Sequence, residues 1–362
     1  MNTNARELAA SFDIERLTGE FYADPYPTYR ALREHEPVKL MPNGSYFLTR
    51  YDDLLTAYKN TKLFSSDKKK EFAPKYGSSL LYEHHTTSLV FNDPPAHTRV
   101  RRLIMGALSP RAILEMEPNL VALVDRLLDA IAAKGEADLI EDFAAAIPIE
   151  VIGNLLDVPE VEREPLRGWS LAILGALEPV IGAEAFARGN SAVKDFLSYL
   201  EFLVERRRMK PGNPERDVLT RLIQGEHNGE DHGERLTEKE LLHNCIFLLN
   251  AGHETTTNLI GNGLVALSRN PSEKKRLIEN PALIKTAVEE ILRFESSNQL
   301  GNRMTTERVE LGGVTMAAGT SVTLCIGAAN RDDRQFNDPE KLDIGRAPNR
   351  HLAFGTGAHQ CA

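Results

Sequence analysis

The densest chemistry in the chain stands at its end: Phe354-Gly355-Thr356-Gly357-Ala358-His359-Gln360-Cys361-Ala362. Two glycines two apart, then a histidine and a cysteine, make a tight turn that holds backbone amides near a sulfur. Such amides lower a thiol's pKa and tune any metal it binds. A cysteine thiolate is one of the few axial ligands that proteins give to a haem iron. A surface cysteine in a glycine turn satisfies the same residues, and the local pattern leaves both readings open. A dinucleotide-binding glycine loop does not fit, because Gln360 stands where the third glycine is needed.

A second group lies in the middle of a long apolar helical pattern: Ala251-Gly252-His253-Glu254-Thr255-Thr256-Thr257. Glycine inside a helix costs ~1 kcal/mol relative to alanine. Threonine hydroxyls compete for backbone carbonyls and bend helices. Together they leave a groove with the Glu254 carboxylate and the Thr255 hydroxyl beside it. That groove reads as a ligand or dioxygen pocket with a proton relay, or as a glycine kink with a buried threonine. His253-Glu254 also begins a zinc-protease motif, which fails because Thr257 stands where the second histidine belongs.

Four weaker patterns follow. The segment 93–102 (DPPAHTRVRR) places His97 and Arg101 at i and i+4 and puts four basic side chains in one turn. Such a turn suits cofactor carboxylates, an acidic protein partner or plain solvent. Glu290 and Arg293 share a helix face at i and i+3, which is usually an exposed ion pair of small worth; Arg346 as a third partner would make it a structural network. His84-His85 are adjacent, do not converge on one ion, and are read as loop residues. Ser170 lacks the second glycine of a nucleophile elbow, since Ala172 stands there, so a serine hydrolase does not fit.

The elements that must position these groups are mostly helical. Pro25-Tyr26-Pro27 breaks the chain after a short first helix. Residues 38–49 read as a β-hairpin turning at Pro42-Asn43-Gly44. Apolar spacing gives helices over 113–133, 191–208 and 282–294, and 225–235 is an exposed polar loop. Thr237 with Glu240 forms a capping box and opens a helix that runs to Asn270-Pro271, with an apolar middle that should pass through the core. A second β region at 309–326 flanks Ala317-Ala318-Gly319, and 331–350 is irregular. The fold class is therefore mainly α with small β-sheets (α+β), in one domain.

Composition narrows the function. The 362 residues carry 43 Lys+Arg against 52 Asp+Glu, a net charge of −9, which argues against a general nucleic-acid binder and leaves room only for a local basic patch. Three widely spaced cysteines, Cys245, Cys325 and Cys361, fit a reducing compartment rather than a disulfide scaffold. No run approaches the ~20 apolar residues of a membrane span, and a cytoplasmic protein is expected.

In this order and spacing, DPPAHTRVRR, AGHETTT, Glu290-x-x-Arg293, NRDDRQFNDPEKLDIGR and HLAFGTGAHQC resemble the cytochrome P450 family of haem-thiolate monooxygenases, across nearly the whole chain. The resemblance implies a single cytochrome P450 domain over 1–362 with haem b as cofactor. It implies Cys361 as the iron ligand and His97, Arg101, Arg303 and His359 as anchors of the haem carboxylates. Phe354 would pack beside the thiolate, Ala251 and Gly252 would form the oxygen groove, and Glu254 and Thr255 would be the acid–alcohol pair. Glu290, Arg293 and Arg346 would brace the loop leading to Cys361.

The resemblance further implies O2 and a small apolar organic substrate. Electrons would come from a ferredoxin or flavodoxin with its NAD(P)H reductase, docking on Arg99, Arg101 and Arg102. Pocket walls would include Leu80, Leu81, Leu89, Leu248, Leu300 and the polar Ser296 to Gln299. Members of the family continue past the cysteine, so a fold lacking the last helix and terminal strands, with weakened haem retention, is expected. A truncated or degenerate haem-binding protein without activity is the alternative.

Overall fold

The computed structural model describes residues 2–108, 113–178, 180–214, 217–224 and 235–361. The expected polar loop at 225–235 lies outside these, apart from Arg235. The chain divides into two compact units, residues 1–66 with 259–362, and residues 67–258.

The first unit holds the β structure. Strands β1 (Val38–Leu40) and β2 (Tyr46–Leu48) form the expected antiparallel hairpin, with Gly44 at φ +82° in the turn. The short β3 (Phe64–Ser65), β4 (Leu300–Thr305) and β7 (Ser321–Cys325) complete a five-stranded sheet in the order β1-β2-β7-β4-β3. Only the β2–β7 pairing is parallel. Strands β5 (Val309–Leu311) and β6 (Val314–Met316) make a separate hairpin. Its turn falls at Gly312-Gly313, φ +57° and +78°, and β6 and β7 flank Ala317-Ala318-Gly319 as expected. Two successive positive φ values are what a two-residue hairpin turn demands.

Leu48, Leu54, Phe64, Val322 and Leu324 are wholly buried between the sheet and the helix Tyr51–Lys59. Prolines open the helix Tyr26–His35, where a missing N–H costs nothing. Residues 331–350 contain no helix or strand, as expected.

The second unit is helical. Its core gathers Leu81, Ile173, Phe196, Leu200, Leu203, Cys245 and Ile246, none of them exposed. The expected 113–133 helix is observed as Glu117–Lys134, ending at Gly135 in the left-handed region, a frequent helix stop. The 191–208 pattern is the inner part of Ala183–Met209. His84 and His85 are not loop residues: they lie on the helix Leu80–Thr87 and are each 2% exposed. Ser170 is buried within the helix Glu164–Gly175, which rules out an exposed nucleophile there.

The long helix is Glu238–Arg269, 32 residues. Its capping box forms as expected: the Glu240 amide donates to Thr237 Oγ1 (3.2 Å), and the Thr237 amide donates to Glu240 Oε2 (2.9 Å). Cys245, Ile246 and Leu249 are buried, but Ala251, Thr255 and Thr256 are exposed. Past Asn250 the helix therefore buries only one face instead of passing wholly through the core. No helix among the described residues is long and apolar enough to cross a membrane.

Candidate functional site

The sulfur-bearing turn belongs to the first unit. It is pinned by its own backbone: Gly355 N–H to Leu352 O (2.8 Å), Gln360 N–H to Gly357 O (3.1 Å) and Cys361 N–H to Phe354 O (2.9 Å). Gly355 and Gly357 sit at φ +61° and +75°, where side chains are strained. A Cβ at position 357 would also lie 2.8 Å from the Tyr58 carbonyl oxygen. The turn thus requires glycine twice over, and it leaves the Cys361 thiol exposed. Phe354 presents a 43% exposed ring beside it, and His359 is half-buried. Arg303, from β4, is 7% exposed, and its guanidinium lies 5.0 Å over the Tyr58 ring.

Behind this turn stands the buried network of Glu290, Arg293 and Arg346. Glu290 and Arg293 are fully buried, so the exposed-pair reading of this motif is wrong and the network implied by the resemblance is the one observed. Burial is affordable because every oxygen finds donors. Arg293 gives two bonds of 2.8 Å to Glu290, and Arg346 Nε, the Asp343 amide and Asn349 Nδ2 complete the set. The rest of Arg293 ties down the carbonyls of Asn330, Pro339 and Lys341. Asn330 Oδ1 then accepts from the Leu352 amide at 2.7 Å. The network is connected by one residue to the start of the sulfur turn.

The acid–alcohol segment belongs to the second unit. The Thr255 hydroxyl donates to the Ala251 carbonyl (2.9 Å) and the Thr257 hydroxyl to the His253 carbonyl (3.0 Å), the back-bonding expected of threonine in a helix. Ala251 and Thr255 share one exposed face at i and i+4. Gly252 packs against Ile152, where a Cβ would come within 2.4 Å of Cδ1. That contact, invisible in the local sequence, explains glycine at 252 on packing grounds. Burial pushes the Glu254 carboxyl above its usual range, and the neighbouring Glu178 adds to the rise. His253 is buried, and burial with the nearby Arg167 cation lowers its pKa to about 4.

His97 and Arg101 lie on the helix Ala96–Ala107, also in the second unit. His97 is 2% exposed, Arg101 half-buried and Arg102 exposed. Arg99 is salt-bridged to Glu240, and its guanidinium donates to the Arg235 carbonyl (3.3 Å). The four basic groups of this turn therefore do not form one free surface. Two expected pocket residues are also committed elsewhere. Leu81 is core, and Ser296 donates to the Leu292 carbonyl (2.8 Å) while accepting from Asn330.

The residues present suit a haem. The first unit offers an exposed thiol on a glycine turn, an exposed aromatic ring next to it and a buried arginine. The second offers a helix face cleared of large side chains beside an acid and an alcohol. A mainly helical chain with these features falls in the class of haem-thiolate oxygenases.

Known proteins agree. The family model of cytochrome P450 matches residues 176–362. A biotin biosynthesis cytochrome P450 of Bacillus subtilis is 34% identical over 347 residues, spanning 95% of this chain and 85% of the relative. A vitamin D(3) 25-hydroxylase of Pseudonocardia autotrophica is 36% identical over 349 residues, 95% of this chain and 83% of the relative. The crystal structure of P450BioI in complex with an acyl carrier protein bearing hexadec-9Z-enoic acid superposes with a TM-score of 0.88 at 34% identity, covering 95% of this chain and 88% of that one. The chain belongs to the cytochrome P450 family. It is a haem-dependent monooxygenase, and the degenerate non-enzymatic alternative is not favoured.

Proposed function

We propose that residues 1–362 form a single cytochrome P450 domain that binds haem b through Cys361 and inserts one atom of O2 into a small apolar organic substrate. The observation that carries this reading is the exposed Cys361 thiol on the Gly355–Gly357 turn, with Phe354 and the Arg303 cation in the same unit. His97, Arg101, Arg303 and His359 would hold the haem carboxylates, since cations and ring N–H groups are their natural partners. Phe354 would pack beside the sulfur. Ala251, on the exposed helix face, would leave room for dioxygen, while the space beside Gly252 is filled by Ile152. When bound, the haem supplies dioxygen activation, which an anionic cysteine ligand favours.

The remaining chemistry belongs to the chain. Glu254 has a raised pKa, so it takes up and releases a proton nearer neutrality than an ordinary carboxylate, as a general acid requires. Thr255 is on the exposed face one residue on and can pass that proton by rotating its hydroxyl off the Ala251 carbonyl. Electrons are assigned to a ferredoxin or flavodoxin with its NAD(P)H reductase. The exposed Arg102 is the docking residue of that turn, Arg99 being taken by Glu240 and Arg101 being assigned to the haem carboxylates. The protein would act in the cytoplasm. The hexadecenoic acid and the vitamin D(3) in the relatives' names are largely hydrocarbon, which supports an apolar substrate class here.

The test is turnover with a ferredoxin, its reductase, NAD(P)H and isotopically labelled dioxygen over a panel of fatty acids, sterols and macrolides. One labelled oxygen atom per product molecule is expected. Product carrying only oxygen from water, or no product with any donor, contradicts the proposal.

A further inference from the structure

We infer that Tyr58 is a positioning residue of the haem site, its ring setting both the Arg303 guanidinium and the Gly355–Gly357 turn that leads to Cys361. The inference rests on the reading of Arg303 and Cys361 given above.

Tyr58 stands near the end of the helix Tyr51–Lys59 and is 5% exposed. Four separate approaches converge on it. The Arg303 guanidinium carbon is 5.0 Å above its ring centroid. Gly301, two residues earlier on the same face of β4, lies so close that a Cβ there would sit 2.4 Å from the Tyr58 hydroxyl oxygen and 3.4 Å from Cζ. A Cβ at Gly355 would be 3.7 Å from ring atom Cε1, and one at Gly357 would be 2.8 Å from the Tyr58 carbonyl oxygen. A glycine inside a strand often marks a close approach of this kind.

The contacts divide the work. The ring face holds Arg303, the ring edge and hydroxyl fill the space left by Gly301, and the backbone carbonyl leaves no room for a side chain at position 357. Burial pushes the Tyr58 hydroxyl up to about 12 against the pull of Arg303, so the ring meets the guanidinium as a neutral phenol. Cation–π attraction at a desolvated site then orients Arg303 together with its bond to the Asn302 carbonyl (2.7 Å). Removing this one ring frees a carboxylate anchor and takes away the ring edge that stands beside Gly355 of the ligand turn.

The test uses the haem-loaded full chain. It reads haem transfer to excess apomyoglobin and the spectrum of the reduced CO complex. Tyr58→Leu is expected to speed haem release about tenfold and to convert part of the CO complex to a form without thiolate ligation. Gly301→Ala forces a methyl against the hydroxyl and is expected to speed release about fivefold. Gly301→Ala combined with Tyr58→Phe removes the clash and should return release to within about twofold of the parent. That rescue would not follow from a general loss of folding. Equal release from the single and double Gly301 variants overturns the inference. So does a parental rate in Tyr58→Leu when Arg303→Ala is fast. Parental rates in both Arg303→Ala and Cys361→Ser would instead overturn the haem-site reading itself.

Discussion

Two glutamates on two helices show how differently one side chain can be surrounded. Glu290 is fully buried and meets Arg293, Arg346, Asn349 and the Asp343 amide. Glu254 is half-buried, and the charged neighbour that moves its pKa is another carboxylate, Glu178. A carboxylate saturated with donors is a strut, because ionisation is locked in and any change leaves cations stranded. One left without cations holds its proton more tightly and can hand it on.

The same contrast runs through the two units. The first buries cations against partners: Arg331 reaches Glu295 and Glu340 (3.1 and 3.0 Å), and Arg33 reaches the Ala328 carbonyl (3.0 Å). The second buries histidines instead, among them His84, His85, His243 and His253. Burial lowers the pKa of all four, so these rings are neutral at neutral pH.

The contrast breaks if the two glutamates respond alike to mutation. Glu290→Ala strands Arg293 and Arg346 and is expected to cost about 3–5 kcal/mol, a large share of a typical domain's stability. Urea unfolding of soluble protein should show it, and a loss under about 1 kcal/mol would return the motif to an ordinary ion pair. Glu254→Gln should leave unfolding at pH 7 unchanged or slightly improved. The sign follows from the raised carboxyl: the folded state binds more protons between the unfolded and folded values, so ionisation costs stability as pH rises through that window. The rate of product formation should fall about 100-fold in that variant. Thr255→Ala should divert reducing equivalents to peroxide; full retention of rate in the first and of yield in the second would remove the pair from proton delivery.

Acid sharpens the comparison between units. The folded pKa of each histidine lies below the unfolded ~6.5, reaching about 3 for His85. The unfolded chain therefore binds more protons as pH falls below ~6.5, and stability drops by up to ~1.4 kcal/mol per unit for each ring. Around these rings stand Glu83, Lys239 and Lys75, and Glu83 Oε1 lies 3.3 Å from His243 Nε2. His85→Phe, set among Phe72, Tyr76 and Phe91, should flatten the acid limb of thermal unfolding between pH 6.5 and 5. An unchanged slope would mean that His85 is not held neutral. The smallest effect is expected at the capping box, where Thr237→Ala should cost about 1 kcal/mol without altering turnover.

Much of this was legible in the sequence because it was local. The capping box names its own partner at i+3, the Asn43-Gly44 turn needs no distant residue, and the glycine spacing before Cys361 announces a strained turn. Groups whose meaning comes from distant partners are not legible from their own residues alone. Glu290-x-x-Arg293 looks like a surface pair until Asn330, Arg346 and Asn349 close over it. Arg99 looks like a docking residue until Glu240 reaches it. His84-His85 look like loop residues because short helices between turns carry little periodicity. Tyr58 left one trace only, the glycine two residues before Arg303.

The thiolate is the central claim, and the spectrum of the reduced CO complex of the purified protein tests it most directly. A strongly red-shifted Soret band that disappears in Cys361→His is expected. A band at the position of a histidine-ligated haem in the parent protein, or a red-shifted band that survives in Cys361→His, would contradict it.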